Sequence, residues 1–396
     1  MSFKPKSILC LSLISVLILA ISTPAKGANP DDGYPQGVSA PGRTCPNSEA
    51  GSIIVSEITQ KTLVCTVIDG QKKWWIQGEP LPVAPVANGG ATEKVPEILY
   101  IPKYKLTTKA LAKMKVFENV TYGDKSETQH LDIYMPKGVS KPPLIVWTHG
   151  GGFVIGDDDF MKFDESAKLL EVFIKNGIAV ASVNYRLAQE ATYPAAGVDT
   201  KRAIRFLRAN AGKFGYDSKK FATGGDSAGS YLALMAAITA DQPSPFDDPT
   251  DPNKSTSAKV SVVIDLFGNV DFFEMTSNNA KYPCDQSKNP YPGAPGNIHP
   301  WFGDTREAKV QADMKSGGLY PYIKASTSLP TFYIFHGSDD CSVSPYDSKN
   351  LDAAVKAQKG KSTIKIVPGA IHGGAGVWNA VMKAVPAIKK TLISTK

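Results

Sequence analysis

The residue best suited to chemistry is Ser227, which lies in Gly225-Asp226-Ser227-Ala228-Gly229, a G-x-S-x-G pattern. A predicted strand, 221–225, precedes this pattern and a predicted helix, 230–239, follows it. Because a sharp strand-to-helix turn leaves the serine hydroxyl exposed, this context predicts a nucleophilic serine. The amino end of the helix would also supply N–H groups and a positive dipole end near a developing negative charge.

A glycine-rich sequence, His149-Gly150-Gly151-Gly152, follows the predicted strand 144–148. A serine that attacks a carbonyl creates an oxyanion, which needs fixed N–H donors. Successive glycines let the backbone approach a substrate closely, so we expect an oxyanion hole here, with the N–H of Ala228 as a further donor. A flexible turn or a phosphate loop is the alternative, but neither Gly-Lys-Ser/Thr nor G-x-G-x-x-G is present.

A nucleophilic serine also needs a base and an acid, in the chain order Ser, acid, His. Of the five histidines, His372 follows the predicted strand 363–367 in a loop, at the sheet edge where ligands gather. Asp339 and Asp340 both follow the predicted strand 331–335. We take Asp340 as the acid and keep Asp339 as the alternative.

The elements that must position these residues alternate between strand and helix. Short apolar runs separated by helical patterns predict a mostly parallel central sheet with helices on both faces, an α/β fold. The first two strands, 117–122 and 129–135, are expected to pair, and 178–183 and 260–266 are further strands. Helices are predicted at 162–176 and 199–213, the second with Arg202, Arg205 and Arg208 on a solvated face.

The whole chain divides by composition into five parts. Residues 1–27 begin with Lys4 and Lys6, continue as an apolar run and end in small residues, which is the layout of a secretory signal peptide. An uncleaved membrane anchor is the alternative, but the run is short for a bilayer. We expect a flexible lead at 28–43, a small β-module at 44–79, a Pro-rich linker at 80–103 and the large domain at 104–396.

The β-module carries three short strand patterns and the pair Trp74-Trp75. About 35 residues bury too little surface for a good core, so a disulfide staple is expected. The tryptophans are either the core of the module or a platform that binds a polymer or a sugar, and the module as a whole could contact a surface or polymer. No other partner is indicated by this segment.

Four cysteines remain after the signal peptide: Cys45, Cys65, Cys284 and Cys341. An even number in an exported protein predicts two disulfides, with three connectivities possible. Local pairing, Cys45–Cys65 and Cys284–Cys341, is the simplest. A zinc site is the rival interpretation, but no C-x-x-C or H-x-x-x-H spacing supports it, so we expect no metal.

The overall composition is that of an ordinary globular protein. The 396 residues are 42% hydrophobic and 20% charged, which argues against a disordered or fibrous chain. The formal net charge of +7 is modest and its basic residues are interleaved with acids, so a nucleic-acid partner is not expected. We expect no stable membrane insertion once the signal peptide is removed.

Several motifs together resemble the α/β-hydrolase superfamily, in particular the hormone-sensitive-lipase-like carboxylesterases that include feruloyl and acetyl-xylan esterases. They are Asn184-Tyr185-Arg186-Leu187, Tyr193-Pro194-Ala195-Ala196, the Ser227 motif, His336-Gly337-x-x-Asp340 and Pro368 to Gly373. The resemblance covers roughly residues 115–390. It implies Ser227 as nucleophile, Asp340 as acid and His372 as base, and its H-G-x-x-D pattern favours Asp340 over Asp339. It also implies oxyanion donors at Gly151, Gly152 and Ala228.

The sequence therefore predicts a secreted serine carboxylesterase, extracellular or periplasmic, that needs no cofactor and acts on a small-molecule or polymer-borne ester. A serine peptidase of the prolyl-oligopeptidase type shares the order of the catalytic residues. It normally carries a large propeller, and the roughly 100 residues before this domain show no repeats. A non-catalytic binding protein on the same fold is the third interpretation, although such proteins typically lose the serine or the histidine.

Overall fold

The computed structural model describes residues 53–55, 62–68, 71–76, 102–240, 242–282, 284–285, 298–304 and 306–394. By its internal contacts the chain divides into two units, Met1–Tyr100 and Ile101–Lys396. The predicted signal peptide and lead lie outside the described residues and stay predictions, as do the domain boundaries assigned from composition.

The first unit contains a three-stranded antiparallel sheet. Its strands are β1 (Ile53–Val55), β2 (Thr62–Ile68) and β3 (Gln71–Ile76), in the order β1-β2-β3. Ile68 pairs with Gln71 at the paired ends of β2 and β3. Cys65 lies on β2, but Cys45 lies outside the described residues, so the Cys45–Cys65 pairing stays a prediction.

The second unit is built on an eight-stranded, mostly parallel sheet in the order β13-β12-β9-β8-β6-β7-β5-β4, in which β5 runs antiparallel to both neighbours. A separate antiparallel pair, β10 and β11, lies outside it. The strands are β4 (Met114–Thr121), β5 (His130–Pro136), β6 (Leu144–Thr148), β7 (Ala179–Val183), β8 (Phe221–Asp226), β9 (Val262–Leu266), β10 (Ile298–His299), β11 (Gly303–Asp304), β12 (Thr331–Gly337) and β13 (Lys361–Val367).

Helices cover both faces of this sheet. Within the described part of the chain, none of the helices has the length and apolar character needed to cross a membrane. The helices are α1 (Thr108–Leu111), α2 (Asp164–Lys175), α3 (Ala195–Ala209), α4 (Ala211–Phe214), α5 (Ala228–Ile238), α6 (Phe272–Lys281), α7 (Ala308–Ser316), α8 (Tyr320–Ala325), α9 (Pro345–Ala357) and α10 (Ala375–Ser394), with a short 3₁₀ helix at Asp158–Lys162.

The central strands are buried on both faces, which explains their unbroken apolar sequences. Every residue of β6, Leu-Ile-Val-Trp-Thr, is buried, and so is every residue of β7. Alternate residues of a strand point to opposite faces, so Val146 joins one hydrophobic core while Ile145 and Trp147 join the other. The parallel arrangement brings the carboxyl ends of β6, β8, β12 and β13 to the same edge of the sheet.

The prediction of a solvated arginine face on α3 is wrong. Arg202 and Arg205 are buried, and Arg208 is half-buried. The Arg202 guanidinium lies 3.2 Å from the carboxylate of Asp248, and that of Arg205 lies 2.9 Å from Asp247. Both aspartates belong to the segment after α5, which covers this helix face and supplies the carboxylates that make burial of the arginines tolerable.

Candidate active site

Ser227 lies at the sharp turn between β8 and α5. Its backbone is at φ 50°, ψ −121°, a conformation that side-chain-bearing residues seldom adopt. The N–H of Ser227 donates to the carbonyl of Leu266 at 2.9 Å, which ties the turn to the end of β9. The strained turn places the hydroxyl at the carboxyl edge of the sheet, where loops from neighbouring strands meet.

The turn depends on a close approach of backbones at Gly229. A Cβ there would overlap with the carbonyl oxygens of Thr148 and His149, at the end of β6. Any larger residue at 229 would therefore push the start of α5 away from the loop that follows β6. The motif glycine thus allows the serine and the glycine-rich loop to lie side by side.

Three side chains far apart in sequence meet beside this turn. The Nε2 of His372 lies 2.9 Å from the Oγ of Ser227, and its Nδ1 lies 2.7 Å from Oδ2 of Asp340. Because an ionised carboxylate only accepts hydrogen bonds, Nδ1 of the imidazole carries the hydrogen and Nε2 is free to accept one from Ser227. This tautomer is the one that a base acting on the serine requires.

The Asp340 carboxylate is buried, and both of its oxygens accept hydrogen bonds. Its Oδ1 accepts hydrogen bonds from the N–H groups of Ser342 and Val343, each at 2.9 Å. Burial alone would raise the pKa of Asp340, but the nearby His372 ring and the other donors outweigh it and hold that pKa below its usual range. Asp339, the alternative acid, accepts a hydrogen bond from the Ser338 hydroxyl at 2.7 Å instead.

The glycine-rich loop leaves β6 and passes beside the serine. Gly151 has φ 107° and Gly152 has φ 61°, and a Cβ at Gly151 would overlap with the carbonyl oxygen of Ile155. The loop conformation is therefore open only to glycine at position 151. Ala228 is the first residue of α5, so its N–H has no acceptor within the helix and can serve a ligand.

Asp226, between β8 and the serine, is a buried carboxyl group that the sequence analysis did not single out. Its Oδ1 lies 3.3 Å from Nε1 of Trp147, and it accepts a hydrogen bond from the backbone N–H of Gly150. Burial raises the pKa of Asp226 to about 7, although these two hydrogen bonds partly oppose the shift. Asp226 thus fastens the glycine-rich loop to the serine turn.

Replacing this carboxyl group should change how stability depends on pH. Since the folded-state pKa of about 7 lies above the value for an unfolded chain, folding becomes costlier as pH rises between the two. Between pH 5 and pH 8 this cost should lower the unfolding free energy of the wild type by about 2–3 kcal/mol. We expect the Asp226→Asn variant to lack this decrease. Urea unfolding of both proteins at the two pH values measures this. An identical pH dependence would contradict the burial cost assigned to Asp226.

The other four histidines lie away from the serine hydroxyl. The His149 ring stacks on Tyr185 at 4.3 Å, and burial lowers its pKa to about 4. His299 packs among aromatic rings, and burial likewise lowers its pKa to about 4. His130 pairs with Asp158 at 3.0 Å, and Nε2 of His336 lies 3.1 Å from Oδ2 of Asp340. Among these rings, only His336 touches the group of three.

A disulfide joins Cys284 to Cys341, with Cα atoms 5.6 Å apart, in the pairing predicted within the large domain. Cys341 directly follows Asp340, so the bond ties the loop that carries the acid to a segment 57 residues earlier in the chain. Among the residues that the structure describes, no group of three His, Cys, Asp or Glu side chains could hold a metal ion.

The fold and the site together define a class of protein. A mostly parallel sheet with a serine on a strand-to-helix turn, and an acid and a histidine after later strands, is the α/β-hydrolase fold predicted from the sequence. Residues 131–355, more than half of the chain, match the family described as BD-FAE. The chain belongs to the BD-FAE family.

Similar proteins and solved structures include several that are named esterases. Esterase LipC of Mycobacterium tuberculosis is 27% identical over 260 residues, which cover 64% of this chain and 59% of that protein. A solved structure titled a truncated carbohydrate esterase from gut microbiota is 25% identical with a TM-score of 0.55, and the match covers 70% of this chain and 96% of that one.

A Thermogutta terrifontis esterase 2 structure, 20% identical with a TM-score of 0.53, shows the shared fold and covers 72% of this chain and 98% of that one. The first curated relatives are longer than the matched region. The chain spans about half the length of these proteins, between 47% and 59%.

Proposed function

We propose that this protein is a secreted serine carboxylesterase that hydrolyses carboxylic esters through an acyl-enzyme intermediate. The observation that carries the proposal is the hydrogen-bonded chain from Ser227 Oγ to His372, at 2.9 Å, and on to Asp340, at 2.7 Å. Relatives named esterases and carboxylic ester hydrolases support an ester as the substrate. The signal-peptide pattern of residues 1–27 supports secretion.

The first half of the reaction forms the acyl-enzyme. Nε2 of His372 takes the hydroxyl proton as Oγ of Ser227 attacks the ester carbonyl carbon. The carbonyl oxygen gains the negative charge, for which the N–H groups of Gly151, Gly152 and Ala228 are the proposed donors. Asp340 stabilises the imidazolium that forms. The alcohol then leaves, taking the proton from Nε2 of His372, and the acyl group stays on Ser227.

The second half of the reaction releases the acid. Nε2 of His372 takes a proton from water, whose oxygen attacks the acyl carbon. The tetrahedral intermediate collapses, and the Ser227 oxygen leaves with the proton from the imidazolium. The products are a carboxylic acid and the free enzyme, so the protons and atoms balance without a cofactor.

The proposed substrate is a small-molecule ester or an ester carried on a polymer. A solved relative titled a carbohydrate esterase supports an ester borne on a carbohydrate. Contact with a polymer or surface through the β-module of residues 44–79 stays a prediction of the sequence.

Hydrolysis of p-nitrophenyl esters with acyl chains from two to eight carbons tests the proposal. The protein is expected to turn over the short esters, and a parallel series of peptide anilides is expected to be stable. Anilide cleavage with little ester cleavage would favour the peptidase interpretation instead. Absence of turnover in both series, in protein that is folded by circular dichroism, would favour the binding-protein interpretation.

Gly151→Ala is expected to lower kcat by about 100-fold, the cost typical of losing one oxyanion donor. An added Cβ would overlap with the carbonyl oxygen of Ile155, and the φ of 107° is unfavourable for alanine, so the loop must shift. Steady-state kinetics on p-nitrophenyl acetate measure the effect.

Gly138→Ala is the matched control for this variant. Gly138 also has a positive φ, 79°, but a Cβ there would meet no atom within 4 Å. It should lose a little stability and keep its kcat. Equal losses of kcat in both variants, or none in Gly151→Ala, would contradict the role given to the loop.

A further inference from the structure

The histidine at the end of β12 has no part in the mechanism above, yet it touches the proposed catalytic acid. His336 is completely buried, and its Nε2 lies 2.9 Å from the carbonyl oxygen of Val343 and 3.1 Å from Oδ2 of Asp340. Both of these atoms accept hydrogen bonds, so Nε2 of His336 must carry a hydrogen. Its Nδ1 faces the Ser348 hydroxyl at 2.7 Å.

The Asp340 carboxylate has four contacts with N–H groups, two at each oxygen. Oδ1 accepts from two backbone N–H groups, those of Ser342 and Val343. Oδ2 accepts from Nδ1 of His372 at 2.7 Å and lies 3.1 Å from Nε2 of His336. Asp340 is fully buried, so water cannot replace a lost donor. The N–H of His336 Nε2 lies between Oδ2 of Asp340 and the carbonyl oxygen of Val343, so it opposes rotation of the carboxylate about the bond to His372.

The charges around His336 favour the protonated form of its ring. The carboxyl groups of Asp340, Asp265 at the end of β9 and Asp347 on α9 face it. Burial lowers the pKa of His336, but the hydrogen bond and charge of Asp340, together with Asp265, outweigh burial and raise that pKa above its usual value. The Nε2 hydrogen is present both in the imidazolium and in the neutral tautomer that donates to Val343 and Asp340, so the contact does not depend on the charge of the ring.

We propose that His336 is a positioning residue of the hydrolytic reaction, which holds the Asp340 carboxylate against His372 through the N–H of Nε2, shared between Oδ2 of Asp340 and the carbonyl oxygen of Val343. The proposal rests on the proposed function, because positioning has a kinetic meaning only if Asp340 serves the base. His336 does not touch the substrate or Ser227. Its loss leaves Oδ2 of Asp340 with one donor and frees the carboxylate to rotate about its bond to His372, so the imidazole is held less firmly toward the serine.

Two amide variants of different reach test the donation. In His336→Gln the side-chain amide reaches the place of Nε2 and can still donate to Asp340. In His336→Asn the amide reaches only the place of Nδ1, beside Ser348, and cannot. Both replacement side chains are neutral and polar, so effects that do not depend on the donated hydrogen should be similar in the two variants. His130→Gln is the control for loss of a histidine outside the site.

The Asn variant is expected to lose about 10- to 100-fold in kcat, as for a displaced catalytic group, with KM nearly unchanged. The acid limb of its kcat/KM profile should move to higher pH, because Asp340 with fewer donors binds the imidazolium more strongly. The Gln variant and His130→Gln should stay within about threefold of the wild type. Equal loss in the Asn and Gln variants, or none in either, would overturn the proposal.

A measurement on the wild-type protein needs neither turnover nor a variant that folds. Nitrogen-15 chemical shifts of the histidine rings report which nitrogen carries the hydrogen. We expect Nε2 of His336 to be protonated from pH 6 to pH 8, and an Nδ1–H tautomer would overturn the proposal. If the wild type hydrolyses no ester, the proposed function fails, while this measurement still tests whether His336 carries the Nε2 hydrogen on which the contact with Asp340 depends.

Discussion

Ser227→Ala should abolish ester hydrolysis, with kcat falling by about 10⁵- to 10⁶-fold, the range for loss of a nucleophile that acts as a unit with its base. The variant lacks the oxygen that forms the acyl-enzyme, while the backbone N–H donors and the binding surface remain. The hydroxyl makes one side-chain contact in the catalytic group, to Nε2 of His372, so we expect the variant to fold. Steady-state hydrolysis of p-nitrophenyl acetate, with circular dichroism on the same sample, measures both.

Ser218→Ala serves as the control for this variant. Ser218 is exposed in the turn before β8, so its replacement should leave kcat and KM as they are. A folded Ser227→Ala protein that keeps more than about one hundredth of wild-type kcat would reject Ser227 as the nucleophile.

Asp340→Asn should lower kcat by about 10⁴-fold with little change in KM, the size of effect seen when the acid of such a triad becomes an amide. An amide can present its NH₂ group to Nδ1 of His372, which then favours the tautomer with the hydrogen on Nε2. That tautomer cannot accept the Ser227 proton. The neutral amide also gives no charge to stabilise the imidazolium. Kinetics from pH 6 to pH 9 measure the loss.

Asp339→Asn is the matched control, since it makes the same change one residue earlier. Asp339 bonds to the Ser338 hydroxyl, so the variant should keep wild-type kcat within about threefold. If Asp339→Asn were the damaging change and Asp340→Asn were harmless, the acid would be the residue that the sequence analysis kept as its alternative.

Much of the fold was predictable because central parallel strands have continuous apolar sequences. The strand predicted at 144–148 is β6, Leu144–Thr148, and the strand predicted at 221–225 extends by one residue to Asp226. A strand buried on both faces admits few polar residues, so its pattern is hard to mistake. The glycine motif was equally easy to recognise in the sequence. A side chain at position 229 would overlap with the backbone at the end of β6, so the turn requires glycine there.

The burial of the α3 arginines was not predictable from the local pattern. Charged residues on a helix are solvated unless something covers them, and the covering acids lie far along the chain. Arg205 and its partner Asp247 are 42 residues apart, and Arg202 and Asp248 are 46 apart. Helical periodicity reports only neighbours within a turn or two, so it carries no information about such partners.

The site itself was predicted in part. The structure brings Ser227, His372 and Asp340, all three predicted from motifs, within hydrogen-bond distance of one another. The contributions of Asp226 and His336 escaped the sequence analysis, since each depends on which group the fold places beside a buried side chain. A signal existed for His336 in the H-G-x-x-D spacing, which puts an imidazole at the end of a strand, four residues before the acid.

The central claim, that Ser227 is an activated nucleophile, is tested most directly by covalent labelling. A fluorophosphonate reacts with a serine hydroxyl only when a base and an oxyanion site activate it, and peptide mapping by mass spectrometry locates the adduct. We expect one phosphonyl group per chain, on Ser227, with complete loss of ester hydrolysis. A protein that hydrolyses esters while the adduct lies on another residue, or forms on none, would contradict the account.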